Sequence, residues 1–480
     1  MPRTPDQTFK IQDAMEASIL SGDHRRALLV PPGYAKTRPV LSALNKLGAF
    51  PALVVAPPVV AESVWSDEAA RWTDLLHLRF SFLGGAGRPL RRVVDKRPQP
   101  LERAPWWMDN NAQVETVSYD NLPYLSQCVD LERRYRAIVF DEMDALKTPS
   151  SVRFTAIRKR AMGIPVRVGM TGSPMPNRYL ELWAQMFAVA DEAPLGPSFS
   201  LYQDKYFQTT DFEGRVWDWK HRFDCERTGV FGAQSCRCVV EATAHIQSRV
   251  RPHAYSLPVG QQEVKLPRVA PHLLEVPLPP KVARMEAELR KQLFTLLDSG
   301  QELEAISQTA VAVKARQLMA GAVYTDDQGS WEVVHEGKLD RLEALVGELH
   351  GAPLVVCYQY RHELELIRER FRRMGLRVEV GAAPHQRELF NSGKLDALVI
   401  HPANGGAGVN LQGGCNTCFT TVPWSWRDWE QVCGRQARVG QLSDVVHAYA
   451  LVCGPLEERV WQILNAKGES QADFLRAIAA

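Results

Sequence analysis

Short, continuous apolar runs alternate with segments of helical periodicity along most of this chain, and no other feature limits the fold as strongly. In the first half the runs are ALLV (Ala27 to Val30), ALVVA (Ala52 to Ala56), AIVF (Ala137 to Phe140) and VRVGM (Val166 to Met170). Helical stretches such as VVAESVWSDEAARW and LELWAQMFAV come between or after them. The second half repeats the pattern with PLVVCY (Pro353 to Tyr358), LRVEV, DALVIHP (Asp396 to Pro402), CFTTVPW and VVHAYALV. A strand that is apolar throughout is buried on both faces, so the alternation predicts α/β architecture with helix-covered parallel sheets. At 480 residues the chain exceeds one ordinary hydrophobic core. The expected division is a first lobe over 1–195, a mainly helical insert and linker over 196–336, and a second lobe over 337–480.

Composition removes several classes. With 45% hydrophobic and 23% charged residues the chain is globular and not disordered. The N-terminus, MPRTPDQTFKIQ, has no apolar signal region, and no apolar run approaches the ~20 residues that span a bilayer. Nine scattered cysteines fit a reducing compartment, so the expected location is cytoplasmic, with no membrane partner. A net charge of +2 carries no argument for nucleic acid, but a local run does. Seven Arg/Lys residues between Arg79 and Arg103 face only Asp95 and Glu102, and Trp106 and Trp107 follow. Phosphate contact with base stacking is one reading, and a solvated loop with an apolar anchor is the other.

In helix-covered parallel sheets, chemistry gathers beyond the strands' carboxyl ends, and the informative residues sit there. Gly33, Tyr34, Ala35, Lys36 and Thr37 make a glycine-containing turn that opens a helix. Backbone N–H groups and the helix N-terminus suit a triphosphate there, with Lys36 on the β/γ-phosphates and Thr37 on Mg2+. Ala35 stands where a glycine is usual, and a positive φ at that position would strain it. After AIVF, Asp141 suits a Mg2+ ligand and Glu142 a base that orients the attacking water, although an acidic pair after a strand is often only a helix cap. Arg435 and Arg438 in QVCGRQARVGQ lie three apart on one helix face, placed either as arginine fingers or as a solvated basic surface.

Taken together these strings resemble the Swi/Snf-type translocases of helicase superfamily two, in a compact form like that of bacteriophages. The resemblance runs from about Phe9 to Lys467. PPGYAKT is similar to motif I, VVAPPVVAESVWSDEAARW to motif Ia, VSYDNL to motif Ib, FDEMDALKTPSSVRF to motif II and MTGSPMPNRYLELW to motif III. VVCYQYRHELE is similar to motif IV, HPANGGAGVNLQGG to motif V and EQVCGRQARVGQ to motif VI. It implies two RecA-like lobes in tandem and an ATP- and Mg2+-dependent motor on nucleic acid. It also implies roles: Gln12 reads adenine, Thr171 and Ser173 couple hydrolysis to motion, and Gly408 and Gln431 join Arg435 and Arg438 in completing the site from the second lobe. Asp144 stands where motif II commonly has a histidine that links the ATP site to motif III, so coupling is expected to be altered.

Duplex DNA is the favoured track, with single-stranded DNA and an unwinding helicase as the next possibility. Phage or host replication or recombination proteins are candidate partners. The alternative from another class is a pseudo-ATPase, marked by Ala35 and Asp144, that serves as a nucleic-acid clamp or interaction protein. Within the insert, Cys225, Cys236 and Cys238 lie near His221 and His245, but their intervals fit no familiar zinc pattern, and no metal besides Mg2+ is expected.

Overall fold

The apolar runs of the first half form β1 (Arg25–Leu29), β2 (Ala52–Ala56), β3 (Phe80–Phe82), β4 (Val114–Ser118), β5 (Ala137–Asp141) and β6 (Val166–Thr171) in a computed structural model. It describes residues 3–84, 111–175, 178–190, 194–209, 217–221, 236–257, 266–298, 309–326, 328–402 and 410–479. The basic residues from Arg88 to Arg103, Trp106 and Trp107, Cys225 and the motif V residue Gly408 lie outside the described residues. Two short strands, β7 (Phe207–Thr209) and β8 (Trp217–Trp219), pair antiparallel as a separate ribbon, and β9 (Ala254–Ser256) returns to the main sheet. The sheet runs β3-β4-β2-β5-β6-β1-β9, parallel at every step. One face packs on Met15, Leu44, Trp65 and Trp72. The other packs on Met143, Phe154, Trp183 and Met186. Burial on both faces is why these strands read as unbroken apolar runs.

The second sheet begins with β10 (Arg268–Glu275). An antiparallel pair, β11 (Ala322–Tyr324) and β12 (Trp331–Val333), follows as a separate ribbon. The sheet continues with β13 (Leu354–Cys357), β14 (Val378–Val380), β15 (Ala397–Ile400), β16 (Asn416–Phe419) and β17 (Val445–Val452). Its order is β10-β17-β16-β13-β15-β14, again all parallel. Two parallel sheets in tandem are therefore present, as the alternation predicts.

The stretch 196–336 contains the helices Phe199–Tyr206, Arg237–Val250, Pro280–Asp298 and Ala310–Met319. It also gives an edge strand to each sheet, β9 to the first and β10 to the second. Neither strand is conspicuous in sequence. β9 has three residues, and β10 carries Pro271, which an edge strand tolerates because only one side of it pairs.

The last helix, Gly454–Ala479, joins the lobes. Leu456, Val460 and Leu464 enter the second lobe's core, whereas Phe474 and Ile478 enter the first lobe's. At 1.5 Å per residue this helix is roughly 39 Å long, enough to reach from one core to the other. Among the described residues no helix is long and apolar enough to cross a membrane.

Candidate active site

β6 pairs with both β1 and β5, so the loops that follow these three strands converge at one edge of the first sheet. Leu29 stands opposite Thr171, and Asp141 opposite Met170. Motifs I, II and III meet there for that reason alone.

After β1 the chain turns through Gly33 (φ +96°) and Ala35 (φ +49°) into the helix Thr37–Leu47. Ala35 is thus in the left-handed region, which costs a residue with a Cβ about 1–2 kcal/mol. Tyr34 packs into the core. Gln12 is buried and braces the turn: its Nε2 donates to the Ala35 carbonyl (3.2 Å), while its Oε1 accepts the Phe9 N–H (3.2 Å). The half-buried Lys36 donates its Nζ protons to the Val30 and Pro31 carbonyls at 2.8 and 3.1 Å. Burial lowers its pKa against the opposing pull of Glu142 and Asp141, and Arg438 lowers it further.

Asp141 ends β5, is buried and accepts the Trp65 indole N–H at 3.0 Å. Burial and the neighbouring Glu142 push its carboxyl up to about 7, against Lys36 and the Trp65 hydrogen bond. Glu142 follows at φ +56°. Of the four non-glycine residues described with positive φ, Ala35 and Glu142 belong to this one site, which is where such strain tends to be held.

Asp144 is buried beneath them. Its Oδ1 accepts a long hydrogen bond from Thr171 Oγ1 (3.5 Å), and its Oδ2 pairs with Arg427 Nε of the second lobe at 2.9 Å. Burial raises its pKa to about 7 in spite of Arg427. Thr171 Oγ1 also accepts the Ser173 N–H at 3.0 Å. The Ser173 hydroxyl donates to the Glu430 carboxylate of the second lobe. Gln471, on the last helix, donates to the Gly172 carbonyl and to Glu430, both at 3.3 Å. Tyr119, from motif Ib, is buried, and its pKa is raised by burial and by Asp141, Asp144 and Glu142.

The helix Trp426–Gln436 presents Arg427, Glu430, Gln431 and Arg435 from the second lobe, and Arg438 lies just past its end. Gln431 is half-buried. Arg435 is buried; burial and the nearby Arg438 bring its pKa down to about 9, with Glu142 opposing. Burial takes Arg438 down to about 10, again against Glu142, and its Nε donates to the Gly434 carbonyl at 2.6 Å. A buried and a half-buried cation thus stand near an acid of the opposite lobe.

The lobes touch across this site. A Cβ on Gly33 would lie 2.9 Å from the Ala437 carbonyl oxygen, and one on Gly434 would lie 2.8 Å from Cβ of Pro32. Both glycines permit an approach that any side chain would block. A turn of backbone N–H groups, a lysine, a carboxylate pair and two arginines from a facing lobe are together the parts that triphosphate hydrolysis uses.

Residues 7–220 match the SNF2-related domain family, a span that holds β1 to β8 and the residues of motifs I, II and III described above. This region is an SNF2-related domain. The chain as a whole is 28% identical over 464 residues to putative protein p41 of Acyrthosiphon pisum secondary endosymbiont phage 1, covering 93% of each protein. It is 23% identical over 352 residues to an uncharacterized ATP-dependent helicase of Mycoplasma pneumoniae, covering 70% of this chain and 30% of that one. The Sulfolobus solfataricus SWI2/SNF2 ATPase core in complex with dsDNA is similar at 20% identity, over 97% of this chain and 91% of that one, with a TM-score of 0.39. The Swi/Snf-type resemblance in a phage-like form is borne out by the SNF2-related domain and the phage relative. The fold rests on the strand orders.

Sequence reasoning missed Trp65, Arg427, Glu430 and Gln471. Gln471 left a signal: it interrupts the apolar stripe that Leu464, Phe474 and Ile478 form on the last helix. Glu430 and Arg427 sit in the motif VI helix among residues that were assigned, but nothing local marks their partners in the other lobe.

Proposed function

We propose that this protein is an ATP-driven motor on nucleic acid, with duplex DNA as its favoured track, hydrolysing ATP in the cleft between its lobes. The observation that carries the proposal is the placement of buried Arg435 and half-buried Arg438 from one lobe near Glu142 of the other, with Arg438 also near Lys36. A lobe-spanning set of this kind makes hydrolysis depend on closure, which is how such a site turns chemistry into movement.

In this scheme Lys36 binds the β/γ-phosphates, Glu142 orients the attacking water, and Arg435 and Arg438 neutralise charge that develops on the γ-phosphate. Gln12, already hydrogen-bonded to the turn, holds the adenine end, and Gln431 supports the arginines. Thr37 and Asp141 fit Mg2+, which when bound would neutralise phosphate charge; a cation there would relieve the crowding of Asp141 and Glu142 that raises the Asp141 pKa. Asp144, Thr171 and Ser173 link that site to Arg427 and Glu430, so the state of motif II is felt across the cleft. Lys36 must exchange two carbonyls for phosphate oxygens, and Gly33 must part from Ala437 to admit them. ATP binding is therefore tied to relative movement of the lobes.

Steady-state ATPase activity, measured alone and with duplex DNA, single-stranded DNA or RNA, tests the proposal. Strong stimulation by duplex DNA is expected. Preference for single strands would replace translocation with strand separation. The strain at Ala35 favours a second reading, a catalytically silent clamp, which zero turnover of folded protein under all four conditions would support.

A further inference from the structure

We propose that His221, Cys236 and Cys238 bind one Zn2+ ion that ties the β7–β8 ribbon to the first lobe, apart from the ATP site. His221 lies two residues beyond β8, Cys236 immediately precedes the helix Arg237–Val250, and Cys238 is in its first turn. A ring nitrogen of His221 and the two Sγ atoms all lie within 4.8 Å of one another. His221 Nδ1 and Cys236 Sγ are 3.4 Å apart. Zn–S and Zn–N bonds of about 2.3 and 2.0 Å give a tetrahedral site an S···N edge of roughly 3.5 Å, so this pair already has the spacing of a bound ion.

His221 and Cys236 are joined by a thiol–imidazole contact, and the Cys238 Sγ converges on the same point. His245 offers a contrast on the same helix. It bonds the Tyr206 hydroxyl (Oη to Nδ1, 2.7 Å) and stands outside the cluster. Cys236 is buried and the other two are half-buried, which limits competition from water. Two thiolates with an imidazole select a borderline-soft ion such as Zn2+ over Mg2+ or Ca2+. Each thiol gives up its proton on binding, so affinity falls in acid. Three protein ligands leave the fourth tetrahedral position to water.

The ion would join positions 221 and 236, adding to the Tyr206–His245 hydrogen bond that already links the residue before β7 to this helix. Phe207 and Trp219 of the ribbon stack at 4.8 Å, and the helix is anchored through Ile246 and Val250 in the first lobe's core. A metal bound there stabilises the arrangement because the site exists in the folded chain and not in the unfolded one.

The full-length protein, purified without chelator and dialysed into Mg2+ buffer, should contain about one zinc per chain by elemental analysis. After zinc removal, Co2+ titration should give a thiolate-to-cobalt charge-transfer band that Zn2+ abolishes. The pair Cys236→Ser with Cys238→Ser should lose both the zinc and the band. His221→Cys keeps three ligands, so it should retain zinc and intensify the band, which leaves a positive result available if the double variant misfolds. No zinc in the native protein and no charge-transfer band on Co2+ addition would overturn the site, as would unchanged zinc in the folded double variant. None of these readouts depends on ATP turnover.

Discussion

Lys36 and Lys338 are both drawn out of solvent, one in each lobe, and their charges are treated in opposite ways. Lys338 is buried in the second lobe and donates to Glu457 Oε1 at 2.9 Å, while the other oxygen of Glu457 accepts the Cys453 N–H at 2.7 Å. Burial disfavours that ammonium group, but Glu457 outweighs it and the pKa is raised. Among the described residues the hydrogen-bond partners of Lys36 are two neutral carbonyls, and burial wins. A charge that serves the fold is closed onto an opposite charge within its own lobe. Lys36 is kept short of one, so a phosphate gains what the protein withholds.

The largest test of that contrast exchanges the two lysines' fates. Lys36→Ala should reduce ATPase activity to background while thermal unfolding stays near the parent's. Lys338→Ala should leave Glu457 buried without its cation, lowering stability by about 3–5 kcal/mol while turnover of the folded fraction persists. If Lys36→Ala unfolds the protein instead, the lysines do not differ in kind.

A smaller effect separates binding from chemistry in the second lobe. Arg438→Ala is expected to lower kcat by a factor on the order of 10³, as loss of an arginine finger does. A change confined to KM would make it a binding group.

Acidity should sharpen the comparison at the cleft. Asp144 faces Arg427, Glu142, Lys147 and Glu181, and Glu430 faces Ser173, Gln471, Glu142 and Lys36; burial takes each carboxyl to about 7. Their ordinary values are 3.8 and 4.5. Groups raised in this way favour the closed arrangement below the ordinary range, and that contribution is lost as pH rises through about 4 to 7. Fluorescence transfer between labelled lobes of nucleotide-free protein should therefore fall between pH 5 and pH 8, whereas a rise would assign control of closure to other groups. Ala35→Gly is the mildest change. Relief of the left-handed strain, less glycine's entropic cost, should add up to about 1 kcal/mol to stability.

Much of this was legible in the sequence, for a physical reason. Strand cores and the residues at their carboxyl ends are local strings, and PPGYAKT, FDEMD and MTGSP announce themselves without tertiary information. The contacts that join the lobes do not. Ser173 meets Glu430 across more than two hundred residues of chain, and Gln471 reaches Gly172 across still more. β9 and β10 do not stand out in the sequence because one is three residues long and the other carries Pro271, which interrupts its apolar pattern. His221, Cys236 and Cys238 are close only because the β7–β8 ribbon folds back toward the helix, which their intervals do not encode.

The helix Gly454–Ala479 also bears on how such a protein can be recombined. Phe474 and Ile478 complete the core of a lobe whose other members lie more than two hundred residues earlier in the chain, whereas Leu456, Val460 and Leu464 belong to the lobe just before them. No single crossover point between the sheets yields two self-sufficient modules. A chimera that takes its second half from a relative imports the plug for the first lobe's core along with it. The two lobes are thus expected to be inherited as a unit, with exchange tolerated only where the donor's plug fits the recipient's cavity.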